Sequence, residues 1–526
     1  MRRIGTGLLI AVVLWLCYFS HLDALGFVGP DEPRYAWVAR DMAASGDWVT
    51  PRLYGKPWFE KPILYYWGAA LGYRALGDTE IAARLPSALA AALATLAMGW
   101  LAWQLYGTRT AIATMLILPT TVGMIGFARA ATPDMLFSAM LALAMLAATM
   151  SLSFKNNRRP TRLSLMLFGA FLGAATLAKG PAAIALAGGS VALWALVTRR
   201  WRNAFWLAHP WALAAFSIVA LPWYVLCAMR NPEFLRVFLL EHNFVRYLTP
   251  EFQHEQPFWF FGPILLAGAL PWTILLVGVG RDAIKTWRQK KWGKSAGFFF
   301  ACWVIFPFVF FSLSRSKLPG YVLPVIPPLV LLAARSLSQM IEAGQSLARW
   351  LLVGTGVTLT ALGVGAGYWL RKQPPEWDFA SFDRLLVWTI ATLSVGTAIA
   401  ILALIRRTWP AVLVSAATLA CLIEVVQIGV IPKLDRYVSP RETCRAFMSI
   451  PAIRESAYVY KLHRAWHFGL NYYAGREILE WNPEVAGAAD VFVSFGTEEE
   501  IRRQGRAVAL VKVGGFSQRA YQVHVF

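Results

Sequence analysis

The chain has 526 residues, 57% of them hydrophobic and only 15% charged, with a mean hydropathy of +0.50, which excludes a soluble globular protein and defines a polytopic membrane protein. Its formal net charge is +21, but the Lys and Arg stand in short loops between apolar runs, so they read as a topology signal and an attraction to anionic lipid heads, with no nucleic-acid partner. Cys17, Cys227, Cys302 and Cys421 fall inside apolar runs and read as small core residues, Cys444 alone lies in a polar region, and no CxxC spacing occurs; neither a disulfide framework nor a thiolate metal site is expected.

Apolar stretches of roughly 17 to 24 residues, the length that crosses a bilayer, number about thirteen. They are predicted at 5–22, 83–105, 109–127, 133–153, 163–178, 180–198, 205–228, 258–280, 297–313, 319–338, 349–370, 385–405 and 409–430. The first follows Arg2 and Arg3 without a small-residue cleavage site and reads as an uncleaved span. Trp58, Trp67, Trp223, Trp259 and Trp272 stand at the ends of apolar runs and are expected as interfacial anchors.

Basic residues collect in alternate loops: Arg2 and Arg3, then 155–162, 199–202, 281–294 and 406–407. That side is the cytoplasm by the positive-inside rule, and an odd number of spans puts the C-terminus outside. On this topology the unusual charges share the outer face: the first external loop (about 23–82), Asp134, Lys179, the loop 230–257, and Ser314 to Tyr321.

In the first external loop, Asp31 and Glu32 lie between Pro30 and Pro33, just before the helix-compatible run RYAWVARDMAA. One of the two can cap that helix; Asp31 reads as a catalytic carboxylate. Glu60 and Lys61 sit in WFEKPILYYW, whose aromatics predict an amphipathic helix in the interface plane, with Lys61 at headgroup depth. Asp134, in RAATPDML, opens a span and is either a helix cap or a functional carboxylate. Lys179 in TLAKGPAA, like Arg129, Arg315 and Lys317, breaks the positive-inside pattern. External cations with few acids among them suggest a bound phosphate or pyrophosphate. In EHNFVRYL, His242 and Arg246 share a helical face if the segment is helical. Arg246 fits bidentate phosphate binding, and His242 is either a metal ligand with Glu60 or a hydrogen-bonded His in a wet loop.

After Ile431 the composition becomes that of a small soluble α/β domain, 431–526, against a transmembrane catalytic domain, 1–430. Strands are predicted at Tyr458 to Leu462, Val491 to Phe495, Val508 to Val513 and Ala520 to Phe526. Thr497 and Glu500 resemble a capping box.

These residues resemble the GT-C superfamily of membrane glycosyltransferases, in the branch of protein O-mannosyltransferase-like enzymes. Within it the chain is similar to the bacterial enzymes that move 4-amino-4-deoxy-L-arabinose from undecaprenyl phosphate to lipid A. DEPRYA, EKPILYYW, TPDML, AKGP, HNFVRY, SKLPGYVLP and the outer C-terminal domain carry the likeness. The resemblance implies a GT-C helical fold and an inverting transfer at the periplasmic face of the inner membrane. Asp31 and Asp134 are implied as catalytic acids, and Lys61 and Arg246 as ligands of the donor phosphate. Arg34, Tyr35, Lys179 and Tyr321 are implied in substrate binding, to which the external cation Lys317 is added as an expected phosphate ligand, and Glu60 with His242 near a structural zinc. No cofactor is expected for the chemistry itself. The expected partners are membrane lipids, a polyprenyl-phosphate sugar donor, and lipid A or another acceptor, on a monomeric enzyme. A protein Ser/Thr or glycan hydroxyl remains the alternative acceptor, and a lipid-linked sugar flippase the alternative of another class.

Overall fold

The computed structural model describes residues 2–152, 154, 159–238, 255–289, 295–373, 382–448, 457–481, 489–494, 508–511 and 518–523. Among these, nine helices are long and apolar enough to cross a membrane, or up to eleven if two bent pairs each form one span. The bent pairs are 108–128, broken by 62°, and 261–288, broken by 106°; two shorter apolar helices cover Ile4–Phe19 and Ala182–Thr198. Each of the thirteen stretches expected from sequence coincides with one of these helices or pairs.

The order of elements explains where charges gather. Helix α1 (Arg2–Leu14) continues through a short π turn into a loop that ends at α2 (Asp31–Ser45). A two-residue ladder, β1 (Arg52–Leu53) with β2 (Lys56–Pro57), folds the chain back, and α3 (Leu64–Leu76) follows. Helix α4 (Glu80–Tyr106) starts at Thr79, whose side chain accepts from the Ala82 amide at 3.2 Å. Next come α5 (Thr108–Ile117), α6 (Val122–Ala128), α7 (Pro133–Ser151), α8 (Arg162–Lys179) and α9 (Ala182–Thr198).

Helix α7 is at the centre, since 78% of its apolar window is buried against 22% for Val387–Leu404. It packs on α4 and α8, and its Ala-rich sequence lets the helix backbones approach closely. Segment Pro319–Glu342 is as enclosed, at 83%, and its first turns lie against α7.

Several sequence expectations are corrected here. The amphipathic helix predicted over WFEKPILYYW begins only at Leu64, so Glu60 and Lys61 lie in the turn before it. The tyrosines of that helix face inward, Tyr65 and Tyr66 both being buried, because α3 packs on α2 and α4 rather than lying on an interface. Trp223 and Trp272 are buried as well, their indole N–H groups donating to the Val49 carbonyl and to Thr120 Oγ1, both at 2.9 Å; only Trp259 of the expected anchors is largely exposed. Cys421 lies on the surface and Cys444 is buried, the reverse of the reading from local polarity.

Beyond Ile431 two short helices, Ile431–Val438 and Arg441–Met448, precede a four-stranded sheet. Its strands, Ala457–Tyr460, Ala489–Ser494, Val508–Val511 and Gln518–Val523, have ends within three residues of the predicted ones. The first pairs parallel to the second, and the last lies antiparallel between the second and third. Helix Arg464–Ala474, unforeseen in the sequence, crosses over from the first strand to the rest and lies on α2. The expected Thr497 and Glu500 capping box falls outside the described residues.

Candidate functional site

One cavity of about 690 Å³ gathers most of the charged residues singled out from sequence. Asp31, Tyr35, Glu60 and Lys61 of the first loop line it, with Asp134 from the mouth of α7, Lys179 from the end of α8, and Tyr321. Its other wall is apolar, with Phe137, Pro181, Ala182, Phe310 and Phe311. Residues separated by up to 290 positions in the chain thus meet, at the ends of helices rather than along them.

Local sequence explains each placement. Asp31 is the first residue of α2, set by Pro30 before it, and makes no capping bond. Its carboxylate takes an ion pair from Arg34, one turn on. Arg34 donates also to Glu60 Oε2 at 3.0 Å and, from Nε, to the Pro30 carbonyl at 2.8 Å. Burial alone would lower the pKa of the Arg34 guanidinium, but Glu60, Tyr35 and Asp31 outweigh it and hold it above its ordinary value. Arg34 is therefore committed to two carboxylates, behind the residues that line the cavity.

Glu60 is shared between cations, since Lys61 Nζ stands 3.3 Å from its Oε1, and the Tyr35 hydroxyl is 3.5 Å from the same oxygen. A carboxylate held by two cations does not suit a zinc ion, and among the described residues no cluster of three metal-ligating side chains forms. His242 and Arg246 lie outside the described residues.

Asp134 sits in the first turn of α7 and pairs with Lys179 across the α7–α8 contact. Lys179 can end α8 there because Gly180 takes φ +98°, a conformation that favours glycine, and turns the chain into Pro181. The Lys179 ammonium stands 4.9 Å from the centre of the Tyr321 ring. The expectation of cations with few acids nearby holds only in part: Lys61, Lys179 and Arg34 each have a carboxylate against them, whereas Lys317 and Arg129 meet backbone carbonyls.

Lys317 is buried and turned from the cavity, donating to the backbone carbonyls of Ser314 and, at 3.0 Å, of Gln256. These two bonds tie down the SRSKLPGY loop. Gly320 in that loop approaches so closely that a Cβ there would lie 2.8 Å from Asp134 Oδ1. The other residue that sequence reading misplaced is Glu32. It bonds the Val28 and Ala131 amides at 2.9 and 2.8 Å and forms a two-pronged pair with buried Arg84 at 2.9 and 3.0 Å. Arg84, missed altogether, was signalled by being an ionisable group just inside a span.

A helical membrane protein whose helix ends converge on a charged, half-apolar cavity lined by the loop between its first two spans has the GT-C glycosyltransferase fold. The model of the dolichyl-phosphate-mannose-protein mannosyltransferase family matches residues 4–238. The undecaprenyl phosphate-alpha-4-amino-4-deoxy-L-arabinose arabinosyl transferase of Edwardsiella ictaluri is 33% identical over 380 residues, 71% of this chain and 68% of that protein. The protein of the same name from Pseudomonas aeruginosa is 32% identical over 433 residues, 80% of this chain and 76% of that one. The crystal structure of ArnT from Cupriavidus metallidurans bound to undecaprenyl phosphate superposes with a TM-score of 0.82 at 25% identity, covering 98% of both chains. The chain belongs to the family of undecaprenyl phosphate-alpha-4-amino-4-deoxy-L-arabinose arabinosyl transferases.

Proposed function

We propose that this protein transfers 4-amino-4-deoxy-L-arabinose from undecaprenyl phosphate to a phosphate of lipid A, at the periplasmic face of the inner membrane. The observation that supports it most is the charge pattern of the cavity: Asp31, Glu60 and Asp134 alternate with Lys61 and Lys179, with Arg34 behind them. A donor head with an anionic phosphate and a cationic amine suits a lining of both signs, while Phe310, Phe311 and Ala182 suit a polyprenyl chain.

In the reaction, an oxygen of the acceptor phosphate forms a bond to the anomeric carbon while the bond from that carbon to the undecaprenyl phosphate oxygen breaks. The electron pair leaves with the lipid phosphate, which gains a negative charge as the acceptor phosphate loses one. Lys61, helped by Arg246, stabilises the leaving phosphate; a well-placed donor of this kind contributes about 3 to 4 kcal/mol. Asp134 with Lys179 binds the sugar, and Asp31 orients the acceptor. The residues 1–430 form the catalytic membrane domain, and the elements after Ile431 an outer domain resting on it. Basic loops orient the molecule with the cavity and the C-terminus outside.

The test is transfer by purified protein in detergent, where no transport can be scored. Incubation with undecaprenyl phosphate-linked aminoarabinose and lipid A is expected to release undecaprenyl phosphate and to add the sugar's mass to lipid A. Intact donor with every acceptor tried would leave a flippase as the better reading.

A further inference from the structure

A second cavity of about 500 Å³ lies on the other side of Asp31. It shares Asp31 and Thr132 with the cavity described above, and is otherwise lined by the loop after α1, Glu32 of α2, Arg84 of α4, the end of α6 with the loop after it, and Gln427 and Ile431. We propose that this second cavity is the subsite for the acceptor's phosphate, with Arg129 and Gln427 as its ligands. The proposal rests on the transfer reading above and locates its second substrate.

The cations around the cavity differ in how far they are neutralised. Arg84 is matched by Glu32, and His21 stands 3.1 Å from Glu424. Arg129 is met only by backbone carbonyls, those of Cys17 at 3.4 Å, Ser20 at 2.5 Å and His21 at 3.0 Å. Among the described residues no carboxylate lies within ion-pair distance of it. Of five guanidinium N–H groups these contacts occupy three, leaving two for a ligand. Burial and the neighbouring Arg84 pull the Arg129 guanidinium down to about 10 against a smaller opposing effect of Glu424, so an anion added at ion-pair distance would stabilise the cation. Gln427, half-buried on helix Thr408–Gly429, lines the same space and adds an amide donor.

The two cavities meet at Asp31 and Thr132. In the first cavity each lysine has an acid within ion-pair distance. In the second, the acids Asp31 and Glu32 are held by Arg34 and Arg84, Glu424 by His21, and Arg129 has no carboxylate within that distance among the described residues, which makes the second cavity the better host for an acceptor that must bring a dianionic phosphate. Asp31 and Thr132 stand where an oxygen held by Arg129 would face an anomeric carbon in the first cavity. On this reading undecaprenyl phosphate departs within the first cavity, where Lys61 stands, and inversion requires the acceptor oxygen to enter from the opposite face of the sugar.

Steady-state transfer by the detergent-purified full chain, varying donor and lipid A separately, tests this. In Arg129→Gln the KM for lipid A is expected to rise about tenfold or more with the donor KM unchanged, the loss of one charge-assisted bond. Arg129→Lys should recover part of the loss. Because Arg129 also ties down the end of the first helix, Gln427→Leu, on another element, serves as the independent variant, with a smaller rise in the same constant. Lipid A stripped of its phosphates should not compete with intact lipid A, and inorganic phosphate should compete only weakly. An unchanged acceptor KM in both Arg129→Gln and Gln427→Leu, or an equal rise in both substrates' constants, overturns the subsite while leaving the transfer reading intact. Failure of the parent protein to glycosylate lipid A would overturn the transfer reading itself.

Discussion

The ring of Phe468, on helix Arg464–Ala474, lies 5.1 Å from the guanidinium carbon of Arg34. Arg34 holds both Asp31 and Glu60, so an element beyond the membrane helices reaches the carboxylates of the cavity through one cation. Trp58 and Tyr35 complete the aromatic surround at 5.6 and 5.9 Å. Around this contact Tyr472 bonds Tyr73 at 3.0 Å and Asp78 at 2.5 Å. Arg441 bridges Asp435 and Glu80, and the Tyr473 hydroxyl accepts from the Phe27 amide at 2.8 Å.

Phe468→Leu keeps apolar bulk and removes the ring face. A cation–π contact of this kind is worth about 0.5 to 2 kcal/mol, so kcat for transfer is expected to fall by about 2- to 30-fold, with the melting temperature in detergent little changed. Activity equal to the parent's would mean that Asp31 and Glu60 alone fix Arg34.

How much of this was readable beforehand depends on whether a signal is local. Asp31, Lys61, Asp134, Lys179 and Tyr321 were legible because each is a charged or amphipathic group at the border of an apolar run, and hydropathy marks those borders. Their pairing was not, because Asp134 meets Lys179 through the packing of α7 on α8, and sequence spacing carries no trace of it. Lys317 looked like a ligand because it is a cation that breaks the positive-inside pattern, and only the backbone path shows its ammonium capped by carbonyls. Phe468 gave no signal at all, being one aromatic among many in a segment read as a separate domain.

Gly320 is expected to tolerate no side chain. A Cβ there would stand 2.8 Å from Asp134 Oδ1 and 2.9 Å from the Phe127 ring, so Gly320→Ala must push one of them. Displacing Asp134 also disturbs Lys179, and a misplacement of about 1 Å in a reacting site can cost about 100-fold in rate. Overpacking should in addition lower stability by about 1 to 3 kcal/mol. Transfer rates and thermal unfolding of Gly320→Ala measure both, and a variant with the parent's rate would show that the loop yields instead of the carboxylate.

Glu32 and Arg84 are expected to matter for folding more than for chemistry. The pair is buried, with side-chain exposures of 11% and 4%, and it joins α4 to the loop before α2 and to the Ala131 amide. Glu32→Gln leaves Arg84 with no carboxylate, and breaking one side of a buried pair costs about 3 to 5 kcal/mol. The double variant Glu32→Gln with Arg84→Met removes the stranded charge and should regain part of the loss. Unfolding curves in detergent for the three proteins decide it; equal stability of parent and Glu32→Gln would show that water reaches the pair.

Asp31 separates the two possible kinds of acceptor. A hydroxyl nucleophile carries a proton that must leave, and a carboxylate acting as general base contributes about 100- to 10,000-fold. A phosphate oxygen is already anionic near neutral pH, since its second ionisation falls at about 6, and it needs orientation rather than deprotonation. The structure gives Asp31 a partner for that second task, because its ion pair with Arg34 fixes the carboxylate at the junction of the two cavities. Asp31→Asn keeps the shape and loses the charge. With lipid A phosphate as acceptor it is expected to retain measurable transfer, lowered by the loosened Arg34, and to keep the parent's fall in rate on the acid side, because that fall follows ionisation of the acceptor. With a hydroxyl acceptor the same variant should be nearly inactive, and the acid limb should vanish from whatever rate remains. Rate against pH for the two proteins, at saturating donor, distinguishes these outcomes. Full activity of Asp31→Asn at every pH would remove Asp31 from the mechanism and leave it as the residue that anchors Arg34 at the start of α2.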